Sequence, residues 1–217
     1  MLESRNVFKT YFLGKVQVDA LKGVDVKITQ GKVTTIRGAS GAGKSTLLQL
    51  FGALDKPTSG EILLEGRSLG TMTSGELSFL RNNRFGFIFQ AFQLLPELDA
   101  LENVHLPAMI RGKHDLDRAA RLLEEVGLGS RKNHKPLELS GGEQQRVAIA
   151  RCLINDPDII FADEPTGNLD SGNAEQIASL LIGLVRREKK TLLLVTHEKE
   201  LAEKGDIQLQ MRDGKFV

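Results

Sequence analysis

The 217 residues set 29 Lys and Arg against 28 Asp and Glu, a formal net charge of +1, with 41% hydrophobic and 26% charged residues. That length suits one sizeable core, or a core with a subdomain, and excludes two independent domains of average size; the composition excludes disorder as the default, and the even charge gives no support to nucleic-acid binding driven by overall basicity. The single cysteine, Cys152, excludes an intramolecular disulfide and favours a reducing compartment; its place between Arg151 and Leu153 in an apolar-periodic stretch reads as a small buried hydrophobe. From the N-terminus, residues 1–7 hold no apolar core of signal-peptide length, so no export signal is expected there. Residues 20–28 alternate apolar and polar, as a half-buried strand does; Gln30-Gly31-Lys32 is a turn and 33–37 a β-branched strand. A glycine-rich loop leads into a helix from Ser45 through Phe51, and Pro57-Thr58-Ser59-Gly60 turns into a strand at 61–65.

Residues 85–89 read as another strand. From about 91 to 155 the chain is more helical, with apolar residues at helical spacing over 101–109 and 115–126 and a helix from Gln144 through Ile154. Strand-like runs return at 158–162 and 191–196, and between them Ile177, Leu180, Leu181, Leu184 and Val185 mark one face of a helix over 174–187. Residues 207–217 read as two short strands around Asp213-Gly214. The apolar run 191–195 falls far short of the roughly 20 residues that span a bilayer. Strands alternating with helices indicate an α/β fold, a sheet covered by helices, with no internal repeat, linker or low-complexity tract.

Gly38-Ala39-Ser40-Gly41-Ala42-Gly43-Lys44-Ser45 fits the phosphate-loop pattern G-x-x-x-x-G-K-[ST] in full, between a strand and a helix. Its glycines let successive N–H groups curl toward a phosphate, and the helix start adds partial positive charge, with Thr46 in the first turn. Lys44 is expected to reach the β- and γ-phosphates of a nucleoside triphosphate, and the Ser45 hydroxyl to ligate Mg²⁺. Farther on, the apolar strand 158–162 ends in Asp163-Glu164. Asp163 is placed to hold Mg²⁺ through water, and Glu164 to polarise the attacking water as general base.

Leu139-Ser140-Gly141-Gly142-Glu143-Gln144-Gln145-Arg146 opens a helix with a hydroxyl, backbone N–H groups and a helix dipole, a second anion site in chemistry; Ser140 and Glu143 are also spaced as a capping box. This stretch resembles the LSGGQ-type signature of the ATP-binding cassette (ABC) ATPases, and with the phosphate loop and acid pair it carries the resemblance over essentially the whole chain. The resemblance implies a P-loop NTPase fold with a mixed-sheet core, 1–90 and 156–217, and a helical subdomain at about 91–155. It implies that Ser140, Gly141, Gly142 and Glu143 bind the γ-phosphate of ATP held by a second subunit. ATP and Mg²⁺ are then the cofactors, and the partners are a second copy of the chain and integral membrane permease subunits, with no nucleic acid. The implied place is peripheral, on the cytoplasmic face of the inner membrane.

By the same resemblance Tyr11 is the aromatic that stacks on adenine, and Gln90 contacts Mg²⁺ and water while linking the core to the helical subdomain. Asn168-Leu169-Asp170 crosses the dimer interface, and His197 is the switch histidine at the γ-phosphate. Phe92, Leu94 and Leu95 are candidates to meet a membrane partner, with ordinary core as the alternative. His105, His114 and His134 match no family position and are read as surface or structural. Within the family, 163–171, 94–104 and 211–215 are similar to the group of lipoprotein-releasing, macrolide-exporting and cell-division ATPases, lipoprotein release being favoured. The alternatives are a non-transport ATPase signalling through membrane partners and a soluble ABC ATPase. The second is weakened by the missing coiled-coil insertion between Lys44 and Ser140 and by the even charge.

Overall fold

The computed structural model describes residues 2–14 and 16–217. Four strands form one antiparallel sheet: β1 (Leu2–Leu13), β2 (Val16–Ile28), β4 (Ser59–Leu64) and β5 (Arg67–Ser68), in the order β2-β1-β4-β5. The other six are β3 (Val33–Arg37), β6 (Phe85–Phe89), β7 (Ile159–Asp163), β8 (Thr191–Thr196), β9 (Ile207–Arg212) and β10 (Lys215–Phe216). They make a second sheet ordered β10-β9-β3-β8-β7-β6, parallel except for the β9–β10 hairpin. The described residues also form seven α-helices: α1 (Lys44–Phe51), α2 (Ser74–Asn83), α3 (Ala100–Ile110), α4 (Leu116–Glu125), α5 (Gly141–Leu153), α6 (Ser171–Arg187) and α7 (Lys199–Glu203). Among the described residues no helix is long and apolar enough to cross a membrane.

Because side chains alternate across a strand, each central strand feeds two cores. Leu193 and Val195 of β8, with Ile159 and Phe161 of β7, pack on the side of α1 and the antiparallel sheet. Leu192 and Leu194, with Ile160 and Ala162, pack on the side of α5 and α6. All six residues of β8 are buried, which explains why this run reads as continuously apolar. The second core continues through α3 and α4, so the segment between β6 and β7 packs directly against the sheet.

The strands expected at 33–37, 85–89 and 191–196 form over those same residues. Helix α6 begins earlier than the apolar face suggested, because Asp170 caps it by accepting the Asn173 N–H. Helix α5 likewise begins at Gly141, capped by Ser140. Four elements were not read from the sequence, the two-residue β5 among them. β1 is interrupted by register shifts near Asn6, which has φ 46°, and this breaks its alternation. α2 buries only Leu80 and is set by a Thr73–Glu76 capping box, and α7 has five residues.

Cys152 is buried, and burial pushes its thiol up to about 12. It presses on Gly86 of β6, where a Cβ would collide with Cys152 Sγ and come within 3.0 Å of the Cys152 carbonyl and Pro157 Cγ. Gly86→Ala is therefore expected to cost about 1–3 kcal/mol, read by urea denaturation, and added Cys152→Ala to recover part of that loss.

Candidate functional site

Parallel pairing brings the C-terminal ends of β3, β7 and β8 to one edge: Arg37 lies beside Thr196, and Asp163 beside Val195. Chemistry in parallel α/β sheets gathers at such edges. The loop from Gly38 to Gly43 leaves β3 and enters α1 through Gly43, whose φ of 98° favours glycine. A Cβ there would also stand 2.5 Å from the Ala20 carbonyl. The first intrahelical bond is from Leu47 N–H to the Gly43 carbonyl and no side chain caps the helix, so the N–H groups of Lys44, Ser45 and Thr46 point outward as anion donors. Gly38 and Ala42 instead spend their N–H groups on the Thr196 and Ala39 carbonyls, and Ala42 is buried; with Ala39 they scaffold the loop.

A cleft of about 650 Å³ opens over this loop, walled by Ser40, Gly41, Gly43, Lys44, Ser45 and Thr46 and, from other elements, by Tyr11, Gln90, Glu164 and His197. Lys44 Nζ donates to the Gly38 and Ala39 carbonyls at 2.9 and 3.1 Å and lies 3.4 Å from Glu164 Oε1. Ser45 Oγ donates to Asp163 Oδ1 at 2.7 Å. Burial pushes the Asp163 carboxyl above its ordinary value; the Ser45 hydrogen bond opposes that, Glu164 adds to it and Lys44 counters it.

Glu164 has φ 46°, a left-handed conformation unusual for a side chain of this size, and it breaks the strand's alternation to turn its carboxylate toward the loop. Its backbone N–H donates to the Val195 carbonyl at 3.0 Å. Its Oε2 accepts the His197 N–H at 3.2 Å and lies 2.9 Å from His197 Nδ1. A ring protonated at Nδ1 donates to the carboxylate and leaves Nε2 as an acceptor. Thus one carboxylate touches the lysine through one oxygen and the histidine through the other.

Gln90, just past β6, exchanges hydrogen bonds with Asn168: Nε2 to Asn168 Oδ1 at 3.1 Å, and Asn168 Nδ2 to the Gln90 carbonyl at 2.8 Å. Tyr11 borders the cleft from β1 and donates its hydroxyl to Asp55 at 2.9 Å. Ser140, Gly141, Gly142, Glu143 and Asp170 lie outside the cleft wall, at the starts of α5 and α6. Ser140 and Glu143 form the expected capping box, whose hydrogen bonds from the Ser140 N–H and hydroxyl hold Glu143 below the usual carboxylate range. Gly142 is buried against Asn173, so the two helix starts adjoin. His105 is buried, His134 contacts Arg131, and neither lines the cleft.

The structure adds residues whose roles no motif reveals. Buried Gln145 of α5 donates to the Pro165 carbonyl at 2.7 Å, tying α5 to the turn after Glu164. Arg151, at the far end of α5, donates to the Gln93 and Phe92 carbonyls at 2.6 and 2.7 Å, where both residues have positive φ. Among the described residues no cluster of three or more His, Cys, Asp and Glu holds a metal by itself. A hydroxyl hydrogen-bonded to one carboxylate, beside a phosphate loop, fits Mg²⁺ shared with phosphate oxygens, since that ion takes few protein ligands.

A family model described as ABC transporter matches residues 21–167. The whole chain is 49% identical to an uncharacterized ABC transporter ATP-binding protein of Thermotoga maritima, covering 93% of it. It is likewise 49% identical over its full length to the lipoprotein-releasing system ATP-binding protein LolD of Cytophaga hutchinsonii, covering 99%. Identity to the macrolide export ATP-binding/permease protein MacB of Chlorobaculum tepidum is 48%, with this chain spanning 34% of that longer protein. Among solved structures, the dimeric ATP-binding cassette MJ0796, in a post-hydrolysis state bound to ADP and Pi, superposes with a TM-score of 0.92 at 43% identity, covering 100% of this chain and 96% of that one.

A carboxyl whose folded value is raised is disfavoured in its ionised form, so it lowers stability above its unfolded value and ceases to do so as pH falls through that range. Asp163→Asn should therefore raise the nucleotide-free unfolding temperature at pH 7, with variant and wild type converging toward acid pH. ATP turnover should fall by about a hundredfold or more at the same time.

Proposed function

The chain belongs to the ABC transporter family and is an ATPase subunit of a transporter, and from that premise we propose that it powers release or export of lipid-linked or hydrophobic cargo, lipoprotein release being favoured, through separate integral membrane subunits. One observation carries the mechanistic part. Lys44, Ser45–Asp163, Glu164 and His197 converge on one cleft, whereas the Ser140–Gly142 helix start stands outside it. Each chain then supplies two halves of different sites, and two chains placed head to tail complete both.

In the completed site the loop N–H groups and Lys44 bind and orient the phosphates. Ser45, Asp163 and Gln90 would hold Mg²⁺, and the ion would supply positive charge to offset that of the phosphates. Glu164 takes the proton of the attacking water, and its bond to His197 fixes the carboxylate's orientation. Ser140, Gly141 and Gly142 of the second chain offer their hydroxyl and N–H groups to the γ-phosphate, with Glu143 keeping that helix start capped and Asp170 beside it at the interface. Tyr11 stacks on adenine.

The helical subdomain, about 91–155, carries closure to the partner. Beside the segment after Gln90 runs a groove of about 270 Å³ bordered by Phe87, Phe89, Leu106, Pro107 and Ile110, with Ile110 71% exposed. An apolar groove of this kind suits a short helix of a membrane subunit. Leu95 is exposed, while Leu94 packs against the core. The lipoprotein reading is supported by the relatives named LolD, and with that reading goes a peripheral position on the cytoplasmic face of the inner membrane.

Glu164→Gln should bind ATP, lose turnover by at least about a hundredfold, and elute as an ATP-dependent dimer on size exclusion. Undiminished hydrolysis by this variant would remove Glu164 as the base.

A further inference from the structure

We propose that Lys9 and Asp55 form a positioning pair that fixes the Tyr11 ring as a one-sided platform for a purine base. This rests on the reading above, that the cleft holds ATP. Lys9 and Tyr11 are two apart on β1, and their side chains meet across the register shift between Lys9 and Thr10. Lys9 Nζ stands 4.8 Å from the Tyr11 ring centroid. The half-buried Lys9 side chain is held from two further directions, its ammonium donating to the Lys56 carbonyl at 2.7 Å and pairing with Asp55 Oδ2 at 2.8 Å. The Tyr11 hydroxyl donates to that same Oδ2 at 2.9 Å, so the ring is tied at its rim and covered on one face.

Burial would raise the Asp55 carboxyl, yet hydrogen bonds from Lys9, the Lys56 N–H and Tyr11 hold it below the usual carboxylate range, and it stays ionised to keep both tethers. An ammonium over one face occupies the space that a stacked base needs at about 3.5–4 Å. Tyr11 borders the cleft and Lys9 does not, so the face left for the base is the one toward the phosphate loop. Thr46, in the first turn of α1, also borders the cleft. Fixing the ring before the nucleotide arrives spares the ordering cost of its side-chain torsions.

The test compares full-length wild type, Lys9→Met, Tyr11→Ala and the double variant for equilibrium binding of MgATP and of magnesium tripolyphosphate, which has no base. Lys9→Met should weaken ATP binding about fivefold, leave tripolyphosphate unchanged and have no further effect once Tyr11 is Ala. In turnover it should raise KM with kcat held within about twofold. Asp55→Asn, which keeps the side chain's shape, should act in the same direction and serves if Lys9→Met unfolds. Equal loss of tripolyphosphate binding, a full Lys9→Met effect in the Tyr11→Ala background, or unchanged ATP affinity in both Lys9→Met and Asp55→Asn would each overturn the proposal. ATP binding insensitive to Tyr11→Ala would overturn the adenine-stacking reading itself, and the proposal with it.

Discussion

The hydrogen bond from Ser45 Oγ to Asp163 Oδ1 joins the first turn of α1 to the end of β7 across 118 residues of chain. It forms because β3, β8 and β7 run parallel in adjacent register, which sets the loop after β3 opposite the end of β7. The next residue, Glu164, then adopts a left-handed backbone and turns its carboxylate between Lys44 and His197. Strain of this kind costs on the order of 1–3 kcal/mol and persists only where the surroundings impose it. Here the surroundings are the buried strands of two cores and the bond from the Glu164 N–H to Val195. The phosphate loop, the Ser45–Asp163 pair and the Glu164 carboxylate thus all take their places from one sheet edge.

From that edge, contacts run outward to the helices that a second chain and a membrane partner would meet. Gln145 ties the start of α5 to the turn after Glu164, and Gln90 and Asn168 tie the end of β6 to the approach to α6. At the other end of α5, burial lowers the pKa of the Arg151 guanidinium, and no carboxylate pairs with it among the described residues. It spends its N–H groups on the carbonyls of Phe92 and Gln93. These two bonds tie the far end of α5 to the segment after Gln90. Helix α5 therefore has the outward-facing Ser140 at one end and the segment beside the apolar groove at the other.

Much of this was legible in the sequence where the physics is local. The phosphate loop announces itself through glycine spacing, the central strands through β-branched apolar runs, and α5 through its Ser140–Glu143 capping box. Less was legible where the determinant is distant or irregular. The register shifts of β1 hide its alternation, and α2 has too small an apolar face to show periodicity. Tyr11 was found by resemblance, but nothing near it in the chain points to Asp55, 44 residues away, or to Lys9 as the cation over its ring. The Arg151 clamp was equally hidden, since an arginine within a helix reads by default as a solvated side chain.

The central claim is that Ser140 serves the site of another chain and not its own. The most direct measurement is light scattering, with equilibrium ATP binding, on Ser140→Arg placed in the Glu164→Gln background. The account predicts that the single chain still binds ATP with little change while ATP no longer doubles its mass. Retained ATP-dependent doubling, or loss of ATP binding by the monomer, would contradict it.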